Sequence, residues 1–188
     1  MNKHVENLEK LVGFLNQDDS ESLHIGMYFI ECLNSNAQSI GQEDRMRDAV
    51  LFIQALCGMK EHLPERSRQA CVKGLLEAFR SQIRLDDTRR VAIQILGEYI
   101  LATRQLALDF PEVMIKGERI ESWSQSFAIS MFVESKNSQR EKLASMLLNA
   151  DMSSAWLYEV LIFTTPDVWC LPYVHAFILP MLEADEYA

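Results

Sequence analysis

The stretch DTRRVAIQILGEYILATRQLAL, Asp87 to Leu108, decides the fold. Its apolar residues stand at Val91, Ala92, Ile93, Ile95, Leu96, Tyr99, Ile100, Leu101, Ala102, Leu106, Ala107 and Leu108. Wound at about 3.6 residues per turn, they leave polar groups only a narrow stripe through Arg90, Gln94, Glu98 and Gln105. A helix apolar over most of its circumference has to be covered on several sides by other helices. An all-α fold built around a central helix is therefore expected.

Helical periodicity extends from this stretch in both directions, and strand-like alternation persists nowhere. Upstream, a helix is expected over about 3–16, with Val5, Leu8, Leu11, Val12 and Leu15 on one face. A second follows over about 18–33, where Asp18 and Glu21 have the spacing of a capping box. The polar segment 34–42 reads as a loop. A third helix is expected from Glu43 to about Leu63 and a fourth from Pro64 to about Leu85. Proline suits a first turn because its missing N–H would have no helical partner there. Val72, Leu75, Leu76, Phe79 and Ile83 form the inward face of the fourth helix, and Asp86 or Asp87 is the expected cap of the central one.

Downstream, DFPEVMIKGERIE, residues 109–121, is the longest break in the pattern. Ser122-x-x-Gln125 and Ser138-x-x-Glu141 read as capping boxes that open helices over about 123–134 and 139–149. Two more are expected over about 153–163 and 166–183. The last, PDVWCLPYVHAFILPMLE, is apolar on every side, so its own fold or another chain has to cover it. About nine helices result, in one domain spanning 1–188. The break at 109–120 also allows two sub-units, 1–108 and 121–188.

The first five helices start about 20 residues apart, so each hairpin takes about 42, near the period of HEAT-type repeats. The resemblance is one of hairpin length, since no residue pattern repeats between the pairs. A HEAT-like hairpin array and an irregular multi-helix globule both satisfy the pattern. Gly13, Gly26, Gly58, Gly74 and Gly97 fall inside expected helices, where each costs about 1 kcal/mol relative to alanine. Close helix–helix approach is the expected compensation.

A chain of 188 residues with 48% apolar and 24% charged residues has the balance of a folded, water-soluble protein. The N-terminal stretch MNKHVENLEKLVGFLN carries Glu6 and Glu9 and lacks the unbroken apolar run of a signal peptide. No stretch reaches the roughly 20 apolar residues of a membrane span. A cytoplasmic protein outside membranes is expected. Cys32, Cys57, Cys71 and Cys170 lie far apart in apolar helical patterns without zinc spacing, as suits free thiols acting as small hydrophobes. His4, His24, His62 and His175 share no ligand spacing, and Glu21-x-x-His24 is half of a di-iron helix motif without its second copy. Neither a metal nor a cofactor is expected. GxSxG, HExxH, P-loop and GxGxxG patterns are absent, so no catalytic residue is assigned and a non-enzyme is expected.

Charge is distributed unevenly. Residues 151–188 hold six acidic residues and no Lys or Arg, whereas 64–108 hold eight basic against five acidic, within a net charge of −9. Arg66, Lys73, Arg80 and Arg84, spaced 7, 7 and 4, share one side of the fourth helix. They offer a docking face for an acidic protein or a phosphate backbone, or else a solvated face with Glu77 bracketed by Lys73 and Arg80 as helical ion pairs. The net charge argues against general nucleic-acid binding. Trp169, Tyr173 and Phe177 in the apolar last helix are candidate partner anchors, since aromatics dominate interface energetics; core packing is the competing role. The function expected is a non-enzymatic helical protein–protein interaction protein, an adaptor, inhibitor or immunity-type partner. Its acidic surface suits a basic protein partner, and a second copy of the chain is a further candidate. The alternatives are a small-molecule-binding protein with an apolar pocket between helices, or an enzyme whose site no motif reveals.

Overall fold

The computed structural model describes residues 41–80 and 90–150 together with Lys10, Trp156, Glu159 and Val160, with the backbone alone at 78–80, 137 and 148. Apart from these single positions, the helices expected over 3–16, 18–33, 153–163 and 166–183 lie outside the described residues, as does 81–89. What is described is mostly helical: α1 (Gln42–Gly58), α2 (Glu65–Arg80), α3 (Ile93–Asp109), α4 (Ile120–Glu134) and α5 (Asn137–Asn149). None of these helices is long and apolar enough to cross a membrane.

The central position expected for Asp87–Leu108 holds for α3, which packs against α1, α4 and α5, while α2 packs on α1. Ile95, Leu96, Tyr99, Ile100, Ala102, Leu106 and Ala107 are buried on it. Gln94 and Gln105 are exposed and Glu98 is half-buried, so the polar stripe stands where the periodicity puts it. Leu108, counted with the apolar residues, continues that stripe at 55% exposure. Gly97 shows why a glycine sits mid-helix, because a Cβ built there would collide with Met146 Sδ and lie 3.0 Å from its Cε. Helix α5 thus crosses α3 at close range. Gly58, by contrast, has nothing within 4 Å of that position. Phe127 of α4 meets Tyr99 edge-on at 5.0 Å and stacks with Trp123 at 5.4 Å.

Several boundaries differ from the sequence expectation, each for a local reason. The third expected helix does not run to Leu63. It ends at Gly58, and the chain tightens into a 3₁₀ turn over Lys60–His62. Arg68 stabilises that turn, donating from Nη2 to the Lys60 carbonyl and from Nε to the Leu63 carbonyl, both at 3.2 Å. Pro64 stands just before α2 rather than in its first turn, its carbonyl accepting from the Ser67 and Arg68 N–H groups. Leu51 of α1 is 44% exposed, so the second half of that helix is less covered than its composition suggests.

No aspartate caps the central helix. It begins at Ile93, after an extended Ala92 that makes no side-chain cap bond. Val91 and Leu96, both buried, occupy the two positions of a hydrophobic staple, so burial of Val91 sets the start. The segment 109–121 is not a plain loop. It holds β1 (Met114–Ile115) and β2 (Glu118–Arg119), paired antiparallel with Met114 opposite Arg119 and Ile115 opposite Glu118. The Ile120 N–H donates to the Val113 carbonyl at 2.9 Å, so the hairpin ladder runs straight into α4. This starts α4 before Ser122, which lies inside its first turn and is no cap. Ser138 is likewise no cap. Helix α5 starts after Lys136, whose N–H donates to Gln139 Oε1 at 3.2 Å, half of a capping box two residues earlier than expected. Arg140 is buried and closes the tight link from α4, donating from Nε to the Phe132 carbonyl and from Nη2 to the Val133 carbonyl, both at 2.7 Å.

Candidate functional site

Of the residues the sequence singles out, Arg66 and Lys73 are exposed on one side of α2. Lys73 lies 3.9 Å from Glu77, the helical pair its spacing predicts. Arg80 is the last residue of α2, with its backbone alone described. Arg84, Trp169, Tyr173 and Phe177 lie outside the described residues. The opposite side of α2 is held in the core by Ser67, Cys71, Val72, Leu75 and Leu76.

Between Arg66 and Lys73, three residues after one and four before the other, stands Gln69. Its side-chain amide clasps the hairpin: Nε2 donates to the Met114 carbonyl at 2.8 Å, and the Met114 N–H donates to Oε1 at 2.9 Å. One glutamine side chain thereby takes the place of a neighbouring strand on the outer edge of β1. It closes an edge that would otherwise present free backbone groups. The hairpin turn is Lys116-Gly117, at φ +52° and +83°, and positive φ at both central residues is what a two-residue turn of the right twist needs. For Gly117 this costs little, but for Lys116 it costs roughly 1 kcal/mol. Ile115 is buried and anchors the hairpin, whereas Lys116, Gly117, Glu118 and Arg119 are exposed and Met114 is 42% exposed. Met114 and Arg119 are directly opposite, so their side chains share one face of the hairpin.

Sequence reasoning missed both the hairpin and its clasp. The available signal was short: Val113 and Ile115 alternate around Met114, and a Gly follows at the turn. Gln69 offered none, because a bond spanning 45 residues leaves no mark in local spacing.

Two polar clusters were also missed, and each joins separate elements. Asp109 at the end of α3 accepts from Lys60 Nζ at Oδ1 and from Gln105 Nε2 at Oδ2, each at 3.0 Å. Burial alone would raise the Asp109 pKa, but the hydrogen bonds from Gln105, Lys60 and Cys57 outweigh it and hold the pKa below the ordinary value. The bond to Asp109 in turn raises Lys60. Cys57 is pushed up to about 12 by burial first and then by the Asp109 charge. A thiol held protonated in this way is no nucleophile at neutral pH. Its cluster pins the C-terminal end of α3 to the turn that follows α1.

The second cluster centres on Arg104, one of the eight basic residues between 64 and 108, which is only 6% exposed. Its Nη1 lies 3.1 Å from Glu121 Oε1, and its guanidinium sits 5.2 Å from the centroid of the Trp156 ring. Gln125 of α4 also hydrogen-bonds Glu159. Trp156 and Glu159 are thereby tied to α3 and α4.

No group of three His, Cys, Asp or Glu side chains with metal-binding geometry occurs among the described residues. Neither cluster presents an activated nucleophile; the outward side of α2 and the hairpin clasped upon it expose Arg66, Lys73, Met114 and Arg119. No known protein family, curated protein or solved structure matches the chain.

Proposed function

We propose that the chain is a non-enzymatic helical protein–protein interaction protein that binds its partner through the face formed by α2 and the hairpin. The observation that carries this reading is the fixed presentation of Met114. An apolar side chain stands in solvent on a hairpin whose backbone is clasped by Gln69 and whose turn stores strain at Lys116. A surface held in one conformation before binding loses less entropy on association than a mobile loop. Left-handed strain at a non-glycine residue is a feature of functional turns. In support of a HEAT-like arrangement of hairpins, the alternate helices α1, α3 and α5 lie together with α3 in the middle, an order that leaves broad helical faces for a partner.

Site-specific photo-crosslinking in the native host tests the reading. With a photoreactive residue at position 114, a discrete adduct with a second protein is expected, and none from exposed control positions at Gln54 of α1 and Ser145 of α5. Equal adducts at all three positions, or none at 114, would count against it.

A further inference from the structure

We draw no further inference here: the strongest candidate, the charge-free outward face of α4 around Ser122, Ser126 and Val133, is a stripe of small and apolar side chains, and nothing in the structure shows what covers it.

Discussion

At the scale of single residues, the positions that matter most are those whose surroundings contradict their type. Arg104 is a cation on the core helix, its side chain buried and its flat guanidinium set over the Trp156 ring. Its ion partner Glu121 is 63% exposed and would stay hydrated without it. Removing the charge should therefore matter less than removing the side chain. Arg104→Met is expected to lose about 1 kcal/mol and Arg104→Ala about 3 kcal/mol, by urea denaturation. Equal losses would instead give the ion pair the main part. Gly58 and Gly97 form a matched comparison. Gly58→Ala meets open space and should stabilise by about 0.5–1 kcal/mol. Gly97→Ala has to displace Met146, so the same gain of about 1 kcal/mol should appear only in the Met146→Ala background.

At the scale of elements, side-chain bonds between distant segments fix what local propensity leaves loose. The hairpin's strands are two residues each, and an isolated hairpin is marginal in water at best. Gln69 and Ile115 hold it. In Gln69→Ala the Met114 amide should exchange with solvent roughly tenfold faster or more, with the helix signal unchanged; an unaltered exchange rate would show that Ile115 and the ladder suffice. The Asp109 cluster predicts a dependence on pH. Its folded pKa lies below the unfolded one, so its stabilisation is present above the unfolded value of about 3.9 and is lost as pH falls through the folded value. Lys60 is raised, so its share is complete below its unfolded value of about 10.4 and is lost as pH rises through its folded value. The stability gap between the native chain and Asp109→Asn should thus form a plateau across neutral pH and close at both ends. A gap constant from acid to alkali would sever the cluster from stability.

At the scale of the whole molecule, one helix serves several others. Buried residues from Met46 to Val160 belong to one continuous cluster, and α3 meets α1, α4 and α5 within it. Ile100 is fully buried near the middle of α3. Ile100→Ala should cost about 3 kcal/mol and lower one shared transition, with circular dichroism and tryptophan fluorescence moving together. Two separated transitions would instead mean that α1 and α2 form a unit apart from α4 and α5.

The sequence by itself determined the helical class and the central place of α3, because both follow from where apolar residues recur along one chain. An apolar surface wider than one neighbour can cover forces several neighbours, whatever their identity. The same periodicity located the solvent stripe at Gln94, Glu98 and Gln105, and it placed Arg66 and Lys73 on one side of α2. Helix starts were beyond it at three sites. Asp86 or Asp87, Ser122 and Ser138 all have capping chemistry, yet burial of Val91, the hairpin ladder ending at Ile120 and the Gln139 half-box set the starts instead. A cap contributes about 1 kcal/mol, which a few buried contacts outweigh. Only the tertiary structure decided that Arg104 is buried, that Asp109 gathers Lys60 and Cys57, and that Gln69 clasps Met114. Each of these depends on which distant segment arrives beside the residue, and the spacing of neighbours along the chain does not encode that.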